Sequence, residues 1–164
     1  VPAYHSLLVQ MTPGSIGKDM LEQKIFELIT EKRSDHEKGE TWTIPVNYEG
    51  PDLEEVTGRL GLSVEELIRL HTGTIYPVFF IGFLPGFLYL GQTPNELHIP
   101  RKAIPRARVQ KGSVGLAGSQ TGIYPCESPG GWQIIGTTDF EWFNLNSNSP
   151  SLINPGDSIQ FVAV

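Results

Sequence analysis

GSVGLAGSQTGIYPCESPGGW, residues 112–132, is the stretch on which the fold turns. It carries glycine at Gly112, Gly115, Gly118, Gly122, Gly130 and Gly131, small hydroxyls, Gln120, Tyr124 and Trp132, yet no lysine, arginine or aspartate. Glycine admits positive φ and removes the side chains that hold other groups away from the backbone, so a helix of this composition would be weak. Two meanings follow. The glycines mark bulges and turns of a tightly curved barrel, or they bring the backbone close to a bound group.

Working outward, β signals dominate. TWTIPVNY places Trp42, Ile44, Val46 and Tyr48 on one face of a half-buried strand. Pro51 and Asp52 open a short helix. Ser63 and Glu66 form a capping-box pattern that predicts a second helix over Val64 to about His71. Beyond it Pro and Gly are frequent and no useful helical period remains. The PGD turn at 155–157 leads into a closing strand over Ser158–Val164, with Ile159, Phe161 and Ala163 on one side. Upstream, Ser6–Met11 alternates as a strand, and Leu21, Ile25, Leu28 and Ile29 share a helical face. The charged run Glu31–Glu40 reads as a solvated linker. These patterns predict a mainly β fold with a few helices.

With 164 residues the chain holds one sizeable core, or one core plus a small lobe. A formal net charge of −6 and the lack of a basic run argue against nucleic acid. The most apolar stretch, Tyr76–Leu90, is interrupted by Pro77, Pro85 and glycines and is too short for a membrane helix. Cys126 is the one cysteine. It excludes an internal disulfide and favours a reducing cytoplasm. His5, His36, His71 and His98 lack ligand-like spacing, so no metal site is expected. No Walker A, GxSxG or HExxH pattern occurs, and no cofactor has a recognisable binding motif.

Read together with GFLPGFLYLG at 82–91 and IPRKAIPRARV at 99–109, the glycine-rich segment resembles the family that contains the KipI kinase inhibitor, the B subunit of bacterial ATP-dependent 5-oxoprolinase and allophanate hydrolase subunit 1. The likeness runs from VPAYHSLLV at 1–9, through IPVNYEGPDLEEV at 44–56, to PGDSIQF at 155–161, so it covers nearly the whole chain. It implies a cyclophilin-like β-barrel over 41–164, preceded over 1–40 by the latter half of a small α/β lobe plus linker. The first half of that lobe would precede Val1. The resemblance implies a subunit that opens the 5-oxoproline lactam to glutamate with homologous partner subunits, ATP being used by the assembled complex. Its alternatives are inhibition of a histidine kinase, or a urea or allophanate pathway role.

For a small lactam or amide substrate the chain offers polar, mostly uncharged groups. Gln120 and Tyr124, with His71, are the candidate catalytic side chains. Ser113, Thr121, Ser128, Gly130, Gly131 and Trp132 would bind substrate, since a carbonyl seeks N–H or hydroxyl donors and a ring N–H seeks an acceptor. The alternative for each hydroxyl is a turn or strand hydrogen bond, and for His71 a satisfied, half-buried packing role. Arg101 and Arg106 match the family's repeated Pro-Arg pattern and would hold a carboxylate. Phe83, Phe87 and Tyr89 would wall a groove, or, with Trp132, offer an apolar patch to a kinase. Two departures stand out. Thr137 follows SPGGWQIIG where the family has arginine, and Gln110-Lys111 replaces Pro-Ala after Val109, so Arg108 or Lys111 would have to compensate for any lost anion contact.

Overall fold

A computed structural model of the chain describes residues 8–12, 14–30 and 39–164. Two compact units are present, Val1–Lys38 and Gly39–Val164. In the first, helix α1 spans Lys18–Thr30. Leu21 and Ile25 are half-buried on it and Leu28 is exposed. Residues 8–12 belong to no strand, contrary to the alternation read over Ser6–Met11. Alternation makes a strand only where a ladder forms, and the ladders of the two sheets do not include these residues. Ser6, Leu7 and most of the expected linker lie outside the described residues.

The second unit is a curled sheet. Its strands are β1 (Thr41–Val46), β2 (Ile75–Ile81), β3 (Leu88–Gln92), β5 (Ser113–Ala117), β6 (Gln120–Ile123), β8 (Gln133–Thr137) and β9 (Ser158–Ala163), in the order β1-β9-β2-β3-β6-β5-β8. β4 (Arg106–Val109) and β7 (Ser128–Gly130) form a separate two-stranded ribbon. The β1–β9 pair is parallel and the other ladders are antiparallel. The two edges of the large sheet are drawn together where Asn47 and Thr137 exchange both backbone bonds, at 2.9 Å each. Closure of this kind removes exposed edges.

One face of the sheet turns inward. Ile44, Val46, Tyr76, Leu88, Leu116 and Phe161 meet there, wholly buried, and α2 (Leu53–Leu60) and α3 (Val64–Thr72) add Val56 and Leu67 to the same core. Ser63 and Glu66 make the expected capping box at the start of α3, with bonds of 3.1 and 2.8 Å. On β1 the expected face is half-buried at Trp42 and buried at Ile44, Val46 and, just beyond the strand, Tyr48. Phe87, Val109, Ala117, Tyr124, Trp132 and Ile134 form a second cluster. It covers the opposite side of β3, β6 and β5. No helix among the described residues is long and apolar enough to cross a membrane.

Candidate functional site

Strand alternation divides the glycine-rich segment between the two clusters. On β6, Thr121 and Ile123 point into the barrel, so Gln120, Gly122 and the following Tyr124 face outward. Across the ladder Gly122 pairs with Tyr89 and Gly115, and Gln120 pairs with Ala117. Trp132 lies over this floor. A Cβ on Gly122 would come within 2.7 Å of the Leu88 carbonyl and 2.9 Å of the Trp132 ring. One on Gly130 would overlap the Tyr124 hydroxyl. The close approach that the glycines permit is therefore, first, that of the protein's own aromatic rings.

Those rings form a continuous outer layer. Phe87 lies 4.7 Å from Tyr89, 4.9 Å from Tyr124 and 5.4 Å from Trp132 between ring centres. Phe87 and Trp132 are buried and Tyr89 half-buried, while Phe83 is 66% exposed at the end of the layer, at φ +67°. Of the residues expected to wall a groove or meet a protein partner, Phe83 alone is broadly accessible. Burial pushes the Tyr124 hydroxyl up to about 12, and it stays neutral at ordinary pH.

The segment 99–105 runs across this layer. Ile99 exchanges two backbone bonds with Gly118, Gln133 Nε2 donates to the Pro100 carbonyl at 3.1 Å, and the Lys102 N–H donates to the Gly131 carbonyl at 2.8 Å. Arg101 is thereby set with its guanidinium carbon 5.8 Å from the centre of the Trp132 ring. Five cations lie in residues 101–111, and their pairing separates them. Lys102 and Arg106 both bind Asp52, Arg108 binds Glu127, and Lys111 binds Glu141. Arg101 has no carboxylate partner among the described residues. The two expected anion ligands thus part: Arg106 is committed, and Arg101 is exposed and available.

Gln120 is 8% exposed, and its Nε2 lacks a hydrogen-bond partner. A buried amide donor left unpaired costs about 1–3 kcal/mol. The other expected residues fall elsewhere. Ser113 is buried and lines a cavity of about 230 Å3 with Arg106, Arg108 and Thr137. Arg108, not Lys111, therefore shares a cavity with the position where the family arginine is replaced. The Ser128 hydroxyl bonds the Pro129 carbonyl at 3.3 Å, and Gly130 pairs with Arg106 in the β4–β7 ribbon.

His71 and Thr121 belong to the barrel interior. The His71 ring is wholly buried, stacked 4.5 Å from Phe161, with Nδ1 2.6 Å from the Tyr48 hydroxyl and Nε2 2.9 Å from Thr121 Oγ1. Thr121 Oγ1 donates to the Gly115 carbonyl at 3.1 Å, so it accepts from His71 Nε2–H, and Nδ1 accepts from Tyr48. Every polar atom of the ring is used. Burial brings the imidazole down to about 3, which keeps it neutral. The half-buried position read from the helix face is thus a fully enclosed one, because Tyr48, just beyond β1, and Phe161 on β9 close over the ring.

A residue that the sequence reading took only as a helix start ties Lys102 and Arg106 to Ile134. Asp52, 1% exposed, accepts from Lys102 Nζ at 2.8 Å, from both terminal nitrogens of Arg106, and from the Ile134 N–H at 2.7 Å. Burial by itself would raise this carboxyl, but the Arg106, Lys102 and Ile134 bonds outweigh it and hold it below the usual carboxylate range. A cavity of about 430 Å3 lies beside Pro85, Cys126, Phe143 and Leu145, but its charges, Lys111 and Glu141, are paired at 2.8 Å. Among the described residues no three His, Cys, Asp or Glu side chains converge as metal ligands would.

Comparison with known proteins adds the relatives. The sequence model of the carboxyltransferase domain, subdomain C and D, matches residues 1–153. The chain is 42% identical over 168 residues to the B subunit of 5-oxoprolinase from Escherichia coli O157:H7, covering 99% of this chain and 76% of the relative. The proteins of the same name from Haemophilus influenzae and Bacillus subtilis are 43% and 39% identical, over 87% and 100% of this chain and 68% and 74% of theirs. Among solved structures, TTHA0988 shares 44% identity with a TM-score of 0.74 over 76% of this chain, which spans only 26% of that one. The Kluyveromyces lactis urea amidolyase, at 17% identity and a TM-score of 0.69, covers 90% of this chain and 11% of its own, and shares the fold.

Proposed function

The chain belongs to the carboxyltransferase domain family, subdomain C and D, and on that basis we propose that it is the B subunit of an ATP-dependent 5-oxoprolinase of the cytoplasm. The observation that carries this reading is the 39–43% identity to three proteins of that name over 87–100% of the chain. The protein works with homologous partners, which supply the ATP chemistry, and releases no glutamate alone. Its own part is to hold the lactam. Arg101, which alone among the five cations of residues 101–111 has no carboxylate partner among the described residues, takes the carboxylate, and the Gln120 Nε2 donates to the ring carbonyl, so electron density building on that oxygen is stabilised as the amide bond opens. Tyr89 and Trp132 supply the apolar wall. His71 has no part in the proton transfers, since both its nitrogens are engaged inside the barrel.

The test is ATP-dependent release of glutamate from 5-oxoproline by the full-length protein combined with its partner subunits, each omitted in turn. Turnover that requires this chain is expected. A folded, assembled complex that turns over equally well without it, or not at all with it, overturns the assignment.

A further inference from the structure

Asp52 occupies the N-cap position of α2, where an aspartate ordinarily accepts from the second or third helical N–H. Here it makes no side-chain cap bond; its backbone sits at φ −107° and ψ −2°, and the carboxylate turns away from the helix. The same residue also donates its N–H to the Ile134 carbonyl at 3.0 Å, so Ile134 is held through both its backbone groups. Ile134 stands two residues after Trp132. Lys102 stands one residue after Arg101, and Arg106 anchors the far end of the same segment. One carboxylate therefore fixes the chain on both sides of the Arg101–Trp132 contact. The capping bond that α2 forgoes is the mark of that other task.

We infer that Asp52 is a positioning residue for the outer face, holding Arg101 over Trp132 so that its guanidinium meets a ligand carboxylate. This rests on the reading of that face as the substrate site. A carboxylate that merely stabilised the fold would lower the amount of active protein without changing what the remaining molecules recognise. A positioning carboxylate changes recognition, and it does so only through Arg101.

The experiment uses the full-length protein in its assembled complex, with 5-oxoproline as the probe and KM and kcat measured separately. Asp52→Asn keeps the shape and an acceptor for Ile134. It is expected to raise KM about tenfold with kcat little changed, while Arg101→Ala raises KM at least as far and the double variant is no worse than Arg101→Ala alone. Independent, multiplying effects overturn the proposal. So does a wild-type KM in Asp52→Asn when Arg101→Ala is impaired, and that pattern leaves the site reading standing. A wild-type KM in Arg101→Ala overturns the site reading and this proposal with it. Should Asp52→Asn fail to fold, Lys102→Met releases the Asp52 bond nearest Arg101 together with the Lys102–Glu55 pair, and Glu55→Gln, which removes that second pair without touching Asp52, is its control. A KM rise of about threefold in Lys102→Met, absent in Glu55→Gln and in the Arg101→Ala background, is expected, and no rise, or an equal rise in Glu55→Gln, overturns the proposal.

Discussion

The barrel interior and the outer aromatic layer are built on the two faces of the same strands, and they treat polar groups in opposite ways. Inside, His71, Tyr48 and Thr121 satisfy one another completely, ending on the Gly115 carbonyl. Outside, Gln120 Nε2 has no hydrogen-bond partner and the Arg101 guanidinium, set over Trp132, has no carboxylate partner among the described residues. A side chain whose every donor and acceptor is used inside the protein has nothing left to offer a ligand. The difference separates the two by what is unfinished, not by which residue types are reactive: both ring nitrogens of His71 are engaged, and the Gln120 Nε2 is not.

The comparison breaks most visibly at His71. His71→Ala opens a cavity and strands the Tyr48 and Thr121 hydroxyls, and should cost about 3–5 kcal/mol in denaturant unfolding. A loss below about 1 kcal/mol would show that the interior network is not what holds the barrel. Gln120→Met does the reverse. Removing an unpaired buried donor should leave stability unchanged or raise it by up to about 1 kcal/mol, while turnover of the assembled enzyme falls roughly tenfold. Unfolding midpoint and kcat/KM on the same preparation check it; a parallel fall in both would place Gln120 among the structural groups.

Acid sharpens the contrast. His71 titrates near 6.5 in the unfolded chain and at about 3 when folded, so between these values the unfolded state binds the extra proton. The stability it confers is present in full above pH 6.5 and is lost as pH falls toward 3, by up to about 1.4 kcal/mol per pH unit. This component should vanish in His71→Gln, as urea unfolding at pH 5 and pH 7 would reveal. The smallest effect belongs to the exposed ion pairs. Lys111→Ala should change stability by less than about 0.5 kcal/mol and leave KM for 5-oxoproline unaltered, by melting and kinetics.

Local pattern carried the elements and not their partners. The alternation of TWTIPVNY, the Ser63–Glu66 box and the PGD turn each act over a few residues, and each is found where the sequence puts it. The family resemblance supplied the architecture. The candidate set, in contrast, was gathered by composition, and composition is blind to the period of two. Gln120 and Thr121 are neighbours in sequence but lie on opposite faces of β6; reading QTGI as a strand would have separated them. Asp52 looked like an ordinary helix start because its ligands are 50, 54 and 82 residues away. Arg101 and Arg106 look alike in IPRKAIPRARV, and only the position of that one carboxylate distinguishes them.

The strand order has a consequence in time. β9 lies between β1 and β2, pairing with Thr41–Val46 on one side and Ile75–Pro77 on the other, although it follows both by more than eighty residues. At ordinary rates of synthesis, β1 leaves the ribosome on the order of ten seconds before the strand that must lie beside it. Throughout that interval the nascent sheet has an open slot, able to accept a strand from another chain as readily as its own. β9 is thus the strand that commits this sheet, and any delay in its arrival lengthens the period in which misassembly competes.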